Sequence, residues 1–577
     1  MEKTREKLWV RDLCVLGAFA LILCLYAYKL PLGMPSGDEA FYLTIPKRLL
    51  QGDGLVVDEW HGSQLSAFLT MPLMALRNAL FPGSEGIVLQ WRWLYVAVHG
   101  LFSLGVYLRL RKRGWRAVGA ACLLFFFTPF DIPAYGYTAL ALDTVCLSSV
   151  VLYTAKNRRD WFLSGLLFAA GVLCTPYLVL IFALYALAVR LYCLGKREEG
   201  LYTRSAYFCE GCLALAVALF VFIFSRGELL DFLSALPYIL SDPAHPLPSL
   251  SQRLVSYGTT LWETFGQPLA LLLGLLALAA LDRGRHRRSL LYFPAAAILG
   301  AVMMAGTAEN LLIDSYHFPL VPLALVGLMA YLLTQRRDRR LLLTVYLMGL
   351  GESLAIHLAS NQSIHIFTAM YLISDLASLC FIADLLKELQ GEHWVVRARR
   401  GAVGLMAACL LVMQTGMMLY VKVNHKYWSS LPNSALTVTL AEGPFAGCRV
   451  GEEAAERYES QLRAIRASFA GREEAVAAFA AGDIWPNLIF PELRNGAFSA
   501  WLEDGRNATV DRWVEYYEMR PEQLPEYILF YRNGKWSMDY VTEHLLEPYG
   551  FDRVERRDMV ELYIRTLPPE ETEETGK

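Results

Sequence analysis

About thirteen apolar stretches run through the first 420 or so residues of this chain, and clusters of Lys and Arg in alternate connections contrast with short opposite connections that hold neither. The stretches are Leu13–Leu30, Val88–Leu108, Ala117–Phe130, Tyr137–Tyr153, Trp161–Cys174, Leu178–Leu194 and Ala206–Phe224, then Phe265–Leu281, Leu290–Gly306, Phe318–Leu333, Leu341–His357, Ile366–Leu386 and Ala402–Val421. A helix that crosses a bilayer needs about 20 apolar residues. The pattern therefore predicts a mainly α, polytopic membrane bundle, and 55 % hydrophobic residues over 577 positions is too apolar for an ordinary soluble enzyme. One helix across Trp161–Leu194 would be about 50 Å long, so Thr175-Pro176 is read as a turn between two shorter ones.

The charges orient the bundle. Arg109 to Arg113, Lys156 to Arg159, Lys196-Arg197, Arg283 to Arg288, Arg336 to Arg340 and Arg397 to Arg400 fall on one side if the N-terminus is cytoplasmic. The opposite connections, Asp131 to Ala134, Glu309 to His317 and Ala359 to His365 with its turn at Asn361-Gln362-Ser363, contain no Lys or Arg. Met1–Arg11 with Leu13–Leu30 then reads as an uncleaved first span rather than a signal peptide. The chain is expected in a cell membrane, multi-pass, with residues 422–577 outside the cytoplasm. No basic domain is present, which excludes nucleic acid as a partner. Cys14, Cys24, Cys122 and Cys146 lie inside apolar segments, a distribution that supports neither a zinc site nor a disulfide framework.

Three outward segments carry the remaining information. Residues 31–87 form a long first loop with two helix-like stretches, Glu39–Leu50 and Gln64–Leu80; the second is apolar enough to lie in the membrane interface. Ser225–Trp262 holds Arg226, Arg253 and several prolines. Residues 422–566 change composition to interspersed charge and predict a small extracytoplasmic α/β domain: an amphipathic helix over Glu452–Phe469, a strand at Tyr527–Tyr531, a helix over Met538–Tyr549 and a strand pair around Asp552–Arg565. Neither GxGxxG nor GxxxxGK[ST] occurs. Residues 567–577 are acidic and expected to be disordered.

The candidate chemistry starts at Gly37-Asp38-Glu39-Ala40-Phe41-Tyr42, an acidic pair at the rim of the first span. Ionisable groups at such a rim tend to face water or a site; the bland reading is a helix-start preference after Ser36. Asp143 lies within an apolar stretch, where a charge is more often functional or paired than idle. Glu59 and His61 form a further candidate loop site. Asp375 and Asp384 lie within the twelfth stretch, the first a candidate buried partner, the second near its cytoplasmic end.

The acidic pair, followed by Leu49-Leu50-Gln51-Gly52-Asp53-Gly54, resembles the first outward loop of polytopic glycosyltransferases of the GT-C class, in the protein O-mannosyltransferase and aminoarabinose transferase group. Gly62-Ser63-Gln64 with Pro72, Ala134-Tyr135-Gly136-Tyr137 with Leu140 and Asp143, Gly165-Leu166-Leu167 through Thr175-Pro176, and Tyr316-His317-Phe318-Pro319-Leu320-Val321-Pro322 are similar to later family segments. Two of them depart from the pattern: the family often has Lys or Arg before that Pro, and more often begins the last motif Arg-Tyr. The resemblance implies transfer of a sugar from a polyprenyl-phosphate donor to a glycan, lipid or protein acceptor outside, with His317, Arg253 and Arg226 as candidate ligands of the donor phosphate. Asp38 matches the family's catalytic Asp, with Glu39 adjacent. A divalent cation, where one takes part, would be held by Asp38 with Glu59 or His61. The rival readings are a polytopic transporter or flippase of envelope glycans, which would show inverted repeats, and a non-catalytic polymer-binding membrane protein.

Overall fold

The computed structural model describes residues 2–34, 37–184, 186–187, 199–240, 248–308, 316–359, 364–390, 394–425, 431–480, 484–499, 507–531, 537–557 and 559–566. The turn at Asn361-Gln362-Ser363, the Lys196-Arg197 pair, Ser36 and the acidic end 567–577 lie outside them, as does part of Leu178–Leu194. Seven helices open the chain: α1 Glu2–Lys29, α2 Gly37–Leu50, α3 Leu65–Leu80, α4 Ile87–Leu110, α5 Trp115–Phe126, α6 Tyr137–Thr154 and α7 Arg158–Cys174. The helices Glu199–Phe224, Leu229–Leu240, Leu250–Leu281, Ser289–Ala308, Leu320–Leu333, Arg339–Ala359 (with a π turn at Leu342–Tyr346), Tyr371–Glu388 and Trp394–Asn424 complete the bundle.

Among the described residues, nine helices are long and apolar enough to cross a membrane. They coincide with nine of the expected stretches. Of the other four, α5, α7 and Leu320–Leu333 are helices too short to qualify by length, and Leu178–Leu194 is only partly described. The count of thirteen is therefore not reached by length. The protein is a polytopic helical membrane protein with a small sheet domain at its end.

The alternation of ends is realised. Arg113 pairs with Asp338 at 3.2 Å, and Tyr153 donates to the same carboxylate at 2.6 Å. Arg116 pairs with Asp384 at 2.6 Å, Arg109 with Asp160 at 2.6 Å, and Arg111 with Asp12 of α1. Asp384, predicted near this end, is thus held by an arginine of it. The basic connections after α4 and before α7 and the one over residues 336–340 meet at one end of the bundle, and the tail packs on the other. α3 begins and ends on the tail side: the Ser84 hydroxyl after its C-terminus donates to the Ile489 carbonyl at 2.5 Å, and Trp60 before it stacks on Phe498 with ring centroids 5.2 Å apart. It does not span. Helix Leu250–Leu281 breaks at Gly266 (φ 53), ahead of Pro268, so only its second half continues as the expected Phe265–Leu281 span.

One pair of cysteines does have C-x-x-C spacing, Cys209-Glu210-Gly211-Cys212 on Glu199–Phe224. Both thiols are free, and Cys212 donates to the Gly165 carbonyl at 3.2 Å across the α7 crossing.

The tail forms a five-stranded sheet in the order β4-β3-β5-β7-β6, with β3 Val476–Ala480, β4 Arg494–Asn495, β5 Tyr527–Tyr531, β6 Phe551–Arg556 and β7 Val560–Arg565. β3 runs parallel to β4 and β5, and β7 antiparallel to β5 and β6. Two further strands, β1 Val438–Thr439 and β2 Arg449–Val450, pair near the membrane, where Leu32 of the first loop bridges Arg449. The amphipathic helix lies at Glu452–Ser468, and one α turn at Met538–Val541 followed by a π turn at Thr542–Leu546 replaces the longer helix expected over Met538–Tyr549.

Candidate functional site

α2 begins at Gly37 and carries both acids in its first turn, where the helix dipole favours negative charge. The two acids have different surroundings. Glu39 is buried, and Arg92 of α4 grips it with a fork: Nε to Oε1 at 2.5 Å and Nη2 to Oε2 at 2.8 Å. The same guanidinium donates to the carbonyl of Leu30 at 2.6 Å and to that of Gly33 at 3.3 Å, so it pins the exit of α1 to the start of α2. Asp38 is half-buried and lies within electrostatic reach of the Tyr137 hydroxyl at the head of α6. Tyr42, one turn further along α2, packs its ring against Gly136, where an added Cβ would meet the ring 2.1 Å away.

Beneath this loop the tail-side ends of several helices meet. Lys29 Nζ lies 2.5 Å from Asp131 Oδ2, and Lys422 Nζ, from the last helix, 3.5 Å from Oδ1. Lys422 also donates to the Thr128 hydroxyl at 3.0 Å. Phe130 and Asp131 both have φ 56, a left-handed backbone that costs about 1–3 kcal/mol per non-glycine residue. Tyr316 and His317 hold that turn: the Asp131 amide donates to the Tyr316 hydroxyl at 3.0 Å and the Phe130 amide to His317 Nε2 at 3.3 Å. His317 therefore accepts as a neutral imidazole and supports the turn. Among the described residues of this layer, three buried cations, Lys29, Arg92 and Lys422, face two buried carboxylates, Glu39 and Asp131, a formal excess of one positive charge.

The other candidates divide between neighbouring clusters. Asp143 is fully buried, takes His99 Nδ1 at 2.8 Å and accepts the Tyr135 hydroxyl at 2.8 Å. His99 Nε2 faces the Leu124 carbonyl at 2.9 Å, so it must carry a proton, and a second proton lies between His99 and Asp143. The pair is neutral overall and braces α4, α5 and α6. Arg226 holds the end of α2 through the Leu49 carbonyl and, at 2.8 Å, the Asp53 carbonyl. Arg253 belongs to a separate cluster, donating to Tyr177 Oη at 3.2 Å and to the Leu358 carbonyl, with its own carbonyl 2.9 Å from His357 Nε2. Thr175, where the resembling family often has a cation, donates to buried Glu352 at 2.8 Å. Asp375 accepts from Gln414 Nε2 at 2.9 Å.

Glu59 and His61 do not offer a metal site. Glu59 Oε1 accepts the His61 amide at 3.0 Å and the Ser499 amide at 3.0 Å, while Oε2 takes Arg48 at 3.2 Å. Burial pushes Glu59 up, and Arg48 and Ser499 pull it partly back. Burial alone would lower Arg48, but Asp53 and Glu59 hold it well above its ordinary value. His61 Nδ1 lies 2.8 Å from the Ser63 hydroxyl, and its ring lies on Phe41. Among the described residues, no three His, Cys, Asp or Glu side chains gather so as to hold a metal ion.

Sequence reasoning missed Arg92, His99, Lys29, Lys422 and Asp131. A charge inside the Val88–Leu108 stretch was the available signal for Arg92. Lys29 and Lys422 end the first and last spans and read as interface residues.

No protein family profile matches the chain, and no curated protein matches it. Among solved structures it is similar to ArnT from Cupriavidus metallidurans bound to undecaprenyl phosphate, with 13 % identity, a TM-score of 0.42, and coverage of 96 % of this chain and 98 % of that one. The apo state of the same ArnT aligns with 13 % identity and a TM-score of 0.45, over 96 % of this chain and 97 % of that one. These values carry no residue role from those proteins to this one.

Proposed function

We propose that this protein is a membrane glycosyltransferase that moves a sugar from a polyprenyl-phosphate donor to an acceptor on the outward face, with Asp38 as general base. The observation that carries this reading is the placement of Asp38, half-buried on a helix start clamped by Glu39–Arg92, above a buried layer whose described residues carry a formal excess of one positive charge. A donor tethered to the bilayer reaches such a site laterally, so no nucleotide-binding loop is needed. The acceptor hydroxyl gives its proton to the Asp38 carboxylate. Its oxygen forms a bond to the anomeric carbon as the bond from that carbon to the phosphate oxygen breaks. The electron pair leaves on the polyprenyl phosphate, which gains negative charge, and the cationic layer stabilises that developing charge. A single displacement of this kind inverts the anomeric centre.

The topology belongs to the same reading: the basic end cytoplasmic, the first loop and tail outside. Sugar transfer from a polyprenyl-phosphate sugar, followed with purified wild type and Asp38→Asn, tests it. Loss of transfer with an intact fold supports the assignment, and undiminished transfer removes Asp38 from the mechanism.

A further inference from the structure

We propose that the tail sets the pose of the helix that carries Asp38, and that Lys47 and Arg48 are the positioning residues through which it acts. This rests on the reading of Asp38 as the base. α2 has 14 residues and is about 21 Å long. Its first turn is tied to the membrane bundle by Arg92. Its last turn is tied to the tail. Lys47 Nζ donates to the carbonyls of Phe490 at 2.6 Å, Asn487 at 2.7 Å and Leu493 at 3.2 Å. An ammonium has three donors, and here all three go to tail backbone. Gln51, just past the helix, adds Nε2 bonds to the Pro491 and Leu493 carbonyls at 3.0 and 3.1 Å.

Arg48 is buried and joins three parts of the chain. It pairs with Asp53 Oδ2 at 2.6 Å and Glu59 Oε2 at 3.2 Å, and donates to the Asp58 carbonyl at 2.9 Å and to the Ala497 carbonyl. The tail answers from its side. The Ser499 amide donates to Glu59, the Tyr516 hydroxyl to the Asp58 carbonyl at 3.0 Å, and Arg520 pairs with the Asp58 carboxylate at 2.9 Å. Trp60 stacks between Tyr238 and Phe498. The loop segment after α2 is thus built into the tail.

A rod held at both ends keeps one direction. With the tail contacts gone, the far end of α2 keeps only the Arg226 bonds to the Leu49 and Asp53 carbonyls, and the helix pivots on the Glu39–Arg92 clamp. A shift of about 3 Å at Lys47, about 12 Å along the axis from Glu39, tilts it by roughly 15°, within the range of about 10–20° at which a catalytic group loses its productive geometry. The tail is then part of the transferase site even though it supplies no reacting group.

The test uses full-length protein in detergent or liposomes. Lys47→Met is expected to lower kcat tenfold or more while KM for the polyprenyl-phosphate sugar changes less than twofold, and Lys47→Arg to recover part of kcat. In an Asp38→Cys background, Lys47→Met is expected to change the maleimide labelling rate at position 38 at least threefold. An unchanged kcat, or a fall that only follows the loss of folded protein on size exclusion, overturns the proposal. If Lys47→Met does not fold, Gln51→Ala removes two of the tail bonds with a smaller perturbation and is read the same way. Full activity of Asp38→Asn would sink the base assignment alone, because labelling at position 38 still reports whether the tail holds the helix.

Discussion

Two acids adjacent in sequence can have opposite duties, and their stability signatures separate them. Glu39 is sealed against Arg92, so Glu39→Gln leaves a buried guanidinium without its charge partner and is expected to cost about 3–5 kcal/mol. Asp38 is half-buried, and the Arg92 fork closes on Glu39. Asp38→Asn should abolish transfer while shifting thermal unfolding in detergent far less than Glu39→Gln. Equal destabilisation by both would mean that the acidic pair is a structural unit. Glu59 gives a second handle, through pH. Its folded form holds a proton to higher pH than the unfolded chain, because burial pushes it up. The folded state therefore binds more protons in that window. The stabilisation is fully present below the ordinary carboxylate value, near 4.3, and is lost as pH rises through the raised folded value. Unfolding temperatures measured across this range should fall with pH in wild type, and Glu59→Gln should flatten that slope. A slope unchanged in the variant would assign the effect to Asp58, which burial also raises.

At the scale of elements, close packing between α2 and α6 fixes where the loop sits. A methyl group at position 136 would lie 2.1 Å from the Tyr42 ring, so Gly136→Ala must displace α2 or the ring. Overpacking of this kind costs about 1–3 kcal/mol, and Tyr42→Leu in the same chain should restore part of the loss in unfolding temperature. Failure of that rescue would place the strain elsewhere. The sequence made much of this layer legible. The stretch Glu39–Leu50 was readable from its apolar spacing and proves to be Gly37–Leu50. Tyr527–Tyr531, a run of aromatic and β-branched residues, is a strand as read. What escaped followed competing propensities. β3, Val-Ala-Ala-Phe-Ala, carries alanines that favour helix, and only its pairing between β4 and β5 makes it a strand. Helix Asn507–Met519 carries Trp513, Tyr516 and Tyr517, residue types that favour strands, and is a helix whose Tyr516 packs on Trp60 of the first loop. The site was legible as to which loop matters. It was not legible as to which acid of the pair Arg92 grips, because that residue lies 53 positions away.

For the whole molecule, the decisive arrangement is that basic connections gather at one end and the candidate site at the other. This follows from two independent kinds of contact. Arg113, Arg116 and Arg109 find their carboxylates at one end, whereas Lys29, Lys422 and Asp131 meet beneath the first loop at the other. Hydropathy alone could not separate these ends, since both are rimmed by cations; what differs is that one set is solvent-accessible and clustered in sequence, the other buried and drawn from the first and last spans. Translocation retains clustered Lys and Arg in the cytoplasm, so the tail should face outward. A version of the chain lacking native cysteines, with single cysteines at Arg285 or at exposed Glu473, tests this with an impermeant maleimide on intact cells. Position 473 should react at once, and position 285 only after the membrane is opened. The reverse pattern would put Asp38 in the cytosol, where nucleotide sugars abound and a lipid-phosphate donor presented from the outer leaflet is out of reach. The transferase reading would then lose its physical basis, while the packing of tail on loop would stand.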